Sequence, residues 1–304
     1  LLDSRYTDLY SLFNKPTLRI NICSSLQDKL TNLVGKNNES IAITILDSNH
    51  NIISDINGNK LFIPASNQKL FSSAYALHVK GPLYRLETHI YKNSKGYYEI
   101  TGSGDPDISI KHIRIFAEEI KSNRFLSYPS SSLILYEEPQ NLWWPETWSI
   151  PDRKEDYGAP ITRLALNSNA EDLAEQNPLY KFKSFSSSIL VNNNINVDIL
   201  TKSQQSFNQV LNRKLLLNIS SAPLYMLMNL ANSESHNFSS EVLLRNASNT
   251  WDNKIATQKL SKWVESIGVD KEQFNFADGS GLSRDNRTTT KALSYVLAFM
   301  EKHR

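Results

Sequence analysis

A change of texture along the chain constrains its fold more than any single residue does. Helical periodicity dominates up to about residue 82 and returns after residue 218. Between these points the sequence breaks into short alternating runs separated by polar, Asn-rich joints. Helices at both ends with strands between them predict an α/β (α+β) chain. Residues 1–82 and 219–304 then form one domain, split by an inserted β-rich module at residues 83–218. The chain has 304 residues, enough to give each part its own core. Cys23 is the only cysteine, so no internal disulfide and no thiolate metal cage can form.

Charge is nearly balanced, with Lys+Arg 33 against Asp+Glu 31. No basic stripe with interleaved aromatics occurs, which argues against nucleic acid as a partner. No apolar run is long enough to span a bilayer. The six histidines, among them His50, His112 and His236, show no ligand spacing. Neither a metal site nor a Ser-His-Asp triad is expected. The start at Leu1, with neither an initiator Met nor a secretory signal, reads as processed or cut.

Taken in order, Tyr6 to Val34 reads as helical, with Leu26, Leu30 and Leu33 on one face and Pro16 as an interruption. Ser40 to Leu46 and Asn51 to Asp55 read as a hairpin. Expected strands within the module are Arg85 to Tyr91, Tyr97 to Thr101, Ser131 to Tyr136, Ile161 to Leu166, Ser187 to Val191 and Asn208 to Leu217. Ile110 to Ile120 reads as an amphipathic helix. The cluster Trp143-Trp144-Pro145-Glu146-Thr147-Trp148 could stack on sugars, but the preferred reading is that it covers the module's core. Further helices are expected at Ala222 to Ala231, Asn237 to Ala247 and Asp252 to Ile267. A short strand, Phe274 to Ala277, then leads into a turn, and Thr288 or Thr289 caps a last helix.

The stretch Pro64-Ala65-Ser66-Asn67-Gln68-Lys69-Leu70 carries the chemistry. After Pro64 the pattern turns helical, with Leu70, Phe71, Ala74 and Leu77 on one stripe. Ser66 falls in the first turn, and Lys69, three residues on, shares its face. A serine needs a neighbouring base to become a nucleophile. A lysine can be that base once burial or nearby positive charge lowers its pKa. The helix start also offers free N–H groups where negative charge would develop.

Further segments join this one in a fixed order. Pro64-Ala65-Ser66-Asn67-Gln68-Lys69 resembles the Ser-x-x-Lys box of penicillin-recognising serine enzymes. Ser235-His236-Asn237 resembles their Ser-x-Asn box. Asp278-Gly279-Ser280-Gly281-Leu282-Ser283-Arg284 resembles a segment of the class C low-molecular-mass penicillin-binding proteins. The Gly102-Ser103-Gly104-Asp105-Pro106 loop and the large insert resemble that class too. Each segment has a structural rival: Ser235 to Asn237 could be a helix cap, and the glycine-rich segments would serve any tight turn. Their order carries the resemblance, which spans about residues 40–304.

The resemblance implies a transpeptidase-like domain that acts as a serine-type D-Ala-D-Ala carboxypeptidase, with endopeptidase activity as a further option. By the same resemblance Ser66 is the nucleophile and Lys69 takes its proton. Ser235 relays it to the departing amine, and Asn237 holds substrate backbone and steadies Lys69. Asp278, Gly279, Ser280 and Gly281 form a structural loop near the site. The implied partners are peptidoglycan stem peptides, with β-lactams as covalent inhibitors. No metal and no organic cofactor is implied, and the expected location is the periplasm or cell envelope. The family's third box, Lys-Thr-Gly, does not occur in these 304 residues. The expectation is therefore a domain missing its C-terminal strands, as in a gene fragment. A β-lactamase and a non-catalytic peptidoglycan-binding relic are the alternatives.

Overall fold

The computed structural model describes Pro16 and residues 18–123, 132–209 and 212–301. Helix α1 (Ser24–Val34) follows an extended segment that lies along a strand, with Asn21 and Cys23 donating their amides to the carbonyls of Ile52 and Ile53. The helix expected from Tyr6 is thus confined to residues 24–34 among the described residues, and residues 1–15 lie outside them. Leu26 and Leu30 are half-buried and Val34 is buried, whereas Leu33 is 81% exposed, so Val34 completes the inward stripe in place of Leu33. The hairpin of β1 (Ile43–Leu46) and β2 (Ile52–Ile56) comes next. It leads through a single turn, Ala65–Asn67, into α2 (Gln68–Lys80).

The middle of the chain builds a five-stranded sheet. Strands β3 (Arg85–Asn93) and β4 (Tyr98–Gly102) pair as an antiparallel hairpin. Helix α3 (Ile110–Ser122) crosses over to β5 (Ser132–Glu137), which lies parallel to β4. Helix α4 (Pro178–Asn192) crosses to β6 (Asp198–Ser203), parallel to β5. Strand β7 (Arg213–Pro223) returns antiparallel to β3, and the order is β6-β5-β4-β3-β7. Parallel neighbours require such crossovers, so the β-rich segment carries helices between its strands. Residues of α3, α4 and the sheet share one core that includes Ile100, Phe116, Leu135, Phe182 and Leu190.

Two expected strands are absent. Ser187 to Val191 belongs to α4, where Phe182, Ser186 and Leu190 recur at helical spacing on the buried face and Pro178 opens the first turn. Ile161 to Leu166 is irregular because its amides bond elsewhere. The Ile161 N–H donates to the Trp143 carbonyl at 2.8 Å. The Arg163 and Leu164 N–H groups donate to the Glu137 carboxylate at 2.9 and 2.8 Å. Of the strand expected at Asn208 to Leu217, residues 210 and 211 lie outside the described ones, and the described strand runs from Arg213 to Pro223. Strand β6, which buries only Ile199, was not anticipated.

The remaining helices are α5 (Leu224–Ser233), α6 (Asn237–Ala247) and α7 (Asn253–Ile267). A two-residue ladder of β8 (Phe274–Asn275) and β9 (Arg287–Thr288) precedes α8 (Thr290–Glu301). The Thr289 hydroxyl accepts the Ala292 amide and caps α8. Helix α2 packs against α5, α6, α7 and α8. Their shared core includes Phe71, Leu244, Leu260, Trp263 and Phe299. Trp148 and Ile161, from the middle of the chain, are buried in this helical core. The tryptophan cluster therefore contributes to a different core from the one expected of it.

Glu137 ties the two layers together. Its buried carboxyl accepts the amides of Glu138, Arg163 and Leu164. Glu137→Ala would strand buried N–H groups at about 1–3 kcal/mol each. We expect the urea midpoint to fall by the equivalent of at least ~3 kcal/mol, with an unchanged denaturant slope.

Candidate active site

Three segments far apart in the chain meet at the start of α2. The first is the turn that carries Ser66. Phe62 and Thr288 exchange backbone hydrogen bonds at 2.9 Å in both directions, anchoring the approach to it. Ala65 then adopts a left-handed φ of 47°. Lys69 lies on the inward side of α2 and is 1% exposed. The second segment is the entry to α6, where Ser235 also has a left-handed φ of 56°. Such conformations cost a non-glycine residue about 1 kcal/mol or more, and the surrounding structure must impose them. One of these residues precedes Ser66, and the other is Ser235 itself.

The third segment is the Asp278 loop. The Asp278 carboxylate accepts from the Gly281 N–H at 2.7 Å, the Ser283 N–H at 2.6 Å, Asn286 Nδ2 at 2.7 Å and Trp148 Nε1 at 2.8 Å. A carboxylate with this many donors organises a loop around itself. Gly281 has φ 88°, and a Cβ there would lie 1.8 Å from the Ala65 carbonyl oxygen. The second glycine of the Asp-Gly-Ser-Gly segment thus lets this loop close directly onto the Ser66 turn.

The hydroxyls of Ser66 and Ser235 are 2.6 Å apart. Lys69 Nζ donates to Ser66 Oγ at 3.3 Å and to the Ser280 carbonyl at 2.7 Å. Burial lowers the Lys69 pKa to about 8, while the negative charges of Asp278 and Glu241 oppose that fall. An amine at that value exchanges its proton readily near neutral pH, as a base for a serine hydroxyl must. His236, between Ser235 and Asn237, is held below its usual range by burial first and then by the Lys69 charge. Its Nδ1 pairs with Ser239 Oγ at 2.8 Å.

The structure therefore brings Ser66, Lys69 and Ser235 into one hydrogen-bonded cluster. Asn237 lines the same cavity of about 490 Å³, together with Ser66, Ser280, Gly281, Leu282 and Arg284. Its amide donates to the Tyr157 carbonyl at 2.9 Å, and the steadying of Lys69 expected of it falls to Ser280 instead. The loop at Gly102 to Pro106 reaches α6, where Asn246 Nδ2 donates to the Ser103 carbonyl at 2.9 Å. No group of three or more His, Cys, Asp or Glu side chains suited to a metal ion occurs among the described residues. Trp148, Tyr157 and Glu241 were not anticipated. Only their distant partners make them part of the site, and no local pattern marks that.

The close approach at Gly281 yields a direct test. Gly281→Ala adds both a left-handed strain and a backbone clash, at about 2 kcal/mol or more. We expect a lower melting temperature by calorimetry.

Comparison with known proteins bears on the fold and the family. No curated protein matches the chain in sequence. Among solved structures, penicillin binding protein 4 from Haemophilus influenzae superposes with a TM-score of 0.71 at 19% identity, covering 84% of this chain and 73% of its own. The same protein complexed with a novel β-lactam gives a TM-score of 0.62 at 20% identity, with coverage of 83% and 72%. A predatory endopeptidase from Bdellovibrio bacteriovorus gives 0.51 at 17% identity, covering 86% and 67%. At these identities the likeness establishes a shared fold. The model of the D-Ala-D-Ala carboxypeptidase 3 (S13) family matches residues 18–175 and 176–304, and the chain belongs to that family.

Proposed function

We propose that the chain is a serine-type D-Ala-D-Ala carboxypeptidase that also has access to endopeptidase chemistry and trims peptidoglycan stem peptides through an acyl-enzyme on Ser66. The observation that carries this reading is the cluster of Ser66, Lys69 and Ser235 at the edge of a cavity able to take a peptide end. Neutral Lys69 takes the Ser66 proton as Oγ attacks the carbonyl between the two D-alanines. The Ser66 N–H, at the start of the helical turn, would supply a donor to the developing oxyanion. Ser235, in contact with Ser66 Oγ, relays the Ser66 hydroxyl proton from Lys69 to the departing amine, which leaves Lys69 neutral again. Water then attacks the ester, Lys69 accepts the water's proton, and Ser66 Oγ is restored with it. Asn237 at the cavity wall is placed to meet substrate backbone.

A β-lactam presents the same kind of carbonyl in a ring, so it would acylate Ser66 and remain attached. The complex of penicillin binding protein 4 with a β-lactam supports that extension. We place the enzyme in the periplasm or cell envelope, because peptidoglycan lies there. Among the described residues, no helix is long and apolar enough to cross a membrane.

A fluorescent penicillin tests the proposal. Covalent labelling should occur, disappear in Ser66→Ala, and fall about 10²-fold or more in rate in Lys69→Arg. An unlabelled parent protein argues for a non-catalytic relic, and rapid release of the label argues for a β-lactamase. The pH dependence has a definite sign. Lys69 is a base only when neutral, and its pKa is near 8. Stopped-flow labelling rates should therefore rise about tenfold per pH unit below 8 and level off above it.

A further inference from the structure

Glu241 is fully buried beneath the site, yet the chemistry above does not use it. Its Oε1 accepts the Gly279 N–H at 2.7 Å. The Gly279 carbonyl accepts the hydroxyls of Ser72 and Ser240, each at 2.7 Å. The next carbonyl, that of Ser280, accepts Lys69 Nζ. Three successive peptide groups are thus pinned, and the last one orients the lysine. Glu241 is held through Oε1 alone, since its buried Oε2 has no hydrogen-bond partner among the described residues.

Glu241 also acts through charge. The groups facing it are Arg245 on its own helix, Asp278 on the loop and Lys69 on α2. Arg245 is equally buried but faces other charges too, including Glu138, Arg163 and Asp252. It therefore does not neutralise Glu241 alone. Burial and the neighbouring Asp278 raise the Glu241 pKa to about 7. That places its ionisation just below that of Lys69, in the pH range where the enzyme would work.

We infer that Glu241 is a positioning residue for acylation: its carboxyl grips the Gly279 amide, so aligning the Ser280 carbonyl with Lys69, and its charge sets how firmly Lys69 holds a proton. The inference rests on the proposed role of Lys69 as base, but its first consequence needs no turnover. Ionised Glu241 stabilises the ammonium form of Lys69. Removing that charge must make Lys69 lose its proton at lower pH.

The test follows the Lys69 ε-methylene signal by NMR with ¹³C-labelled lysine, assigned by its loss in Lys69→Arg. Glu241→Gln keeps an acceptor for Gly279 and removes the charge. Its Lys69 midpoint should fall below that of the parent by about one pH unit, and the pH profile of penicillin labelling should move with it. An unchanged midpoint in the Gln variant overturns the inference. Should that variant fail to fold, the parent still decides. Its Gly279 amide proton shift should titrate with a midpoint near 7 as Glu241 ionises, and a flat Gly279 response overturns the inference. A shifted Lys69 midpoint in a protein that no penicillin labels would retain the Glu241–Lys69 coupling and reject the enzymatic reading.

Discussion

Burying an amine is the constraint on which the rest of the site depends. A lysine out of water resists its charged form, and that resistance is what makes it useful as a base. Lys69 is almost completely enclosed, and the fold supplies one acceptor of fixed direction, the Ser280 carbonyl. The cavity wall, the left-handed turn at Ala65 and the Asp278 loop all serve that placement. In the proposed mechanism, a solvated lysine would leave Ser66 and Ser235 as two neighbouring hydroxyls with no base beside them.

The enclosure is built from both ends of the chain. Helix α2 comes from the first part, while α6 and the Asp278 loop come from the last. Trp148, from the middle, links them by donating to Asp278 from within the helical core. Glu137 fastens the irregular segment at residues 161–166, whose Ile161 packs in that same core. The five-stranded sheet and the helical part are therefore joined by buried polar side chains as well as by apolar contact. Such contacts are costly to break, because each leaves an unsatisfied buried group. This explains how a site assembled from distant segments can keep hydroxyls within 2.6 Å of each other.

Legibility in the sequence followed the range of the interactions. Helices α6 and α7 lie where periodicity put them, and α7 joins an apolar stripe to a start capped by Asp252, whose carboxylate accepts the Ile255 N–H. The Ser66–Lys69 relation is local, set by three residues of helical spacing, and it was readable. Helix α4 was misread because Ile189-Leu190-Val191 looks like a strand and its buried stripe includes a serine, Ser186. Strand β6 escaped because a sheet-edge strand needs little apolar patterning. The role of Glu241 was hidden because its partner Gly279 is 38 residues away. Trp148 and Asp278 are separated by 130 residues. The support that Lys69 draws from the Ser280 carbonyl was hidden in the same way, since 211 residues separate the two.

A double-mutant cycle on the rate of Ser66 acylation by penicillin tests most directly whether Lys69 and Ser235 work as one unit. Lys69→Ala and Ser235→Ala should each slow the reaction strongly. The double variant should then be about as slow as the slower single one, because either change already disables the proton path. Losses that multiply, as for independent groups, would contradict a shared centre.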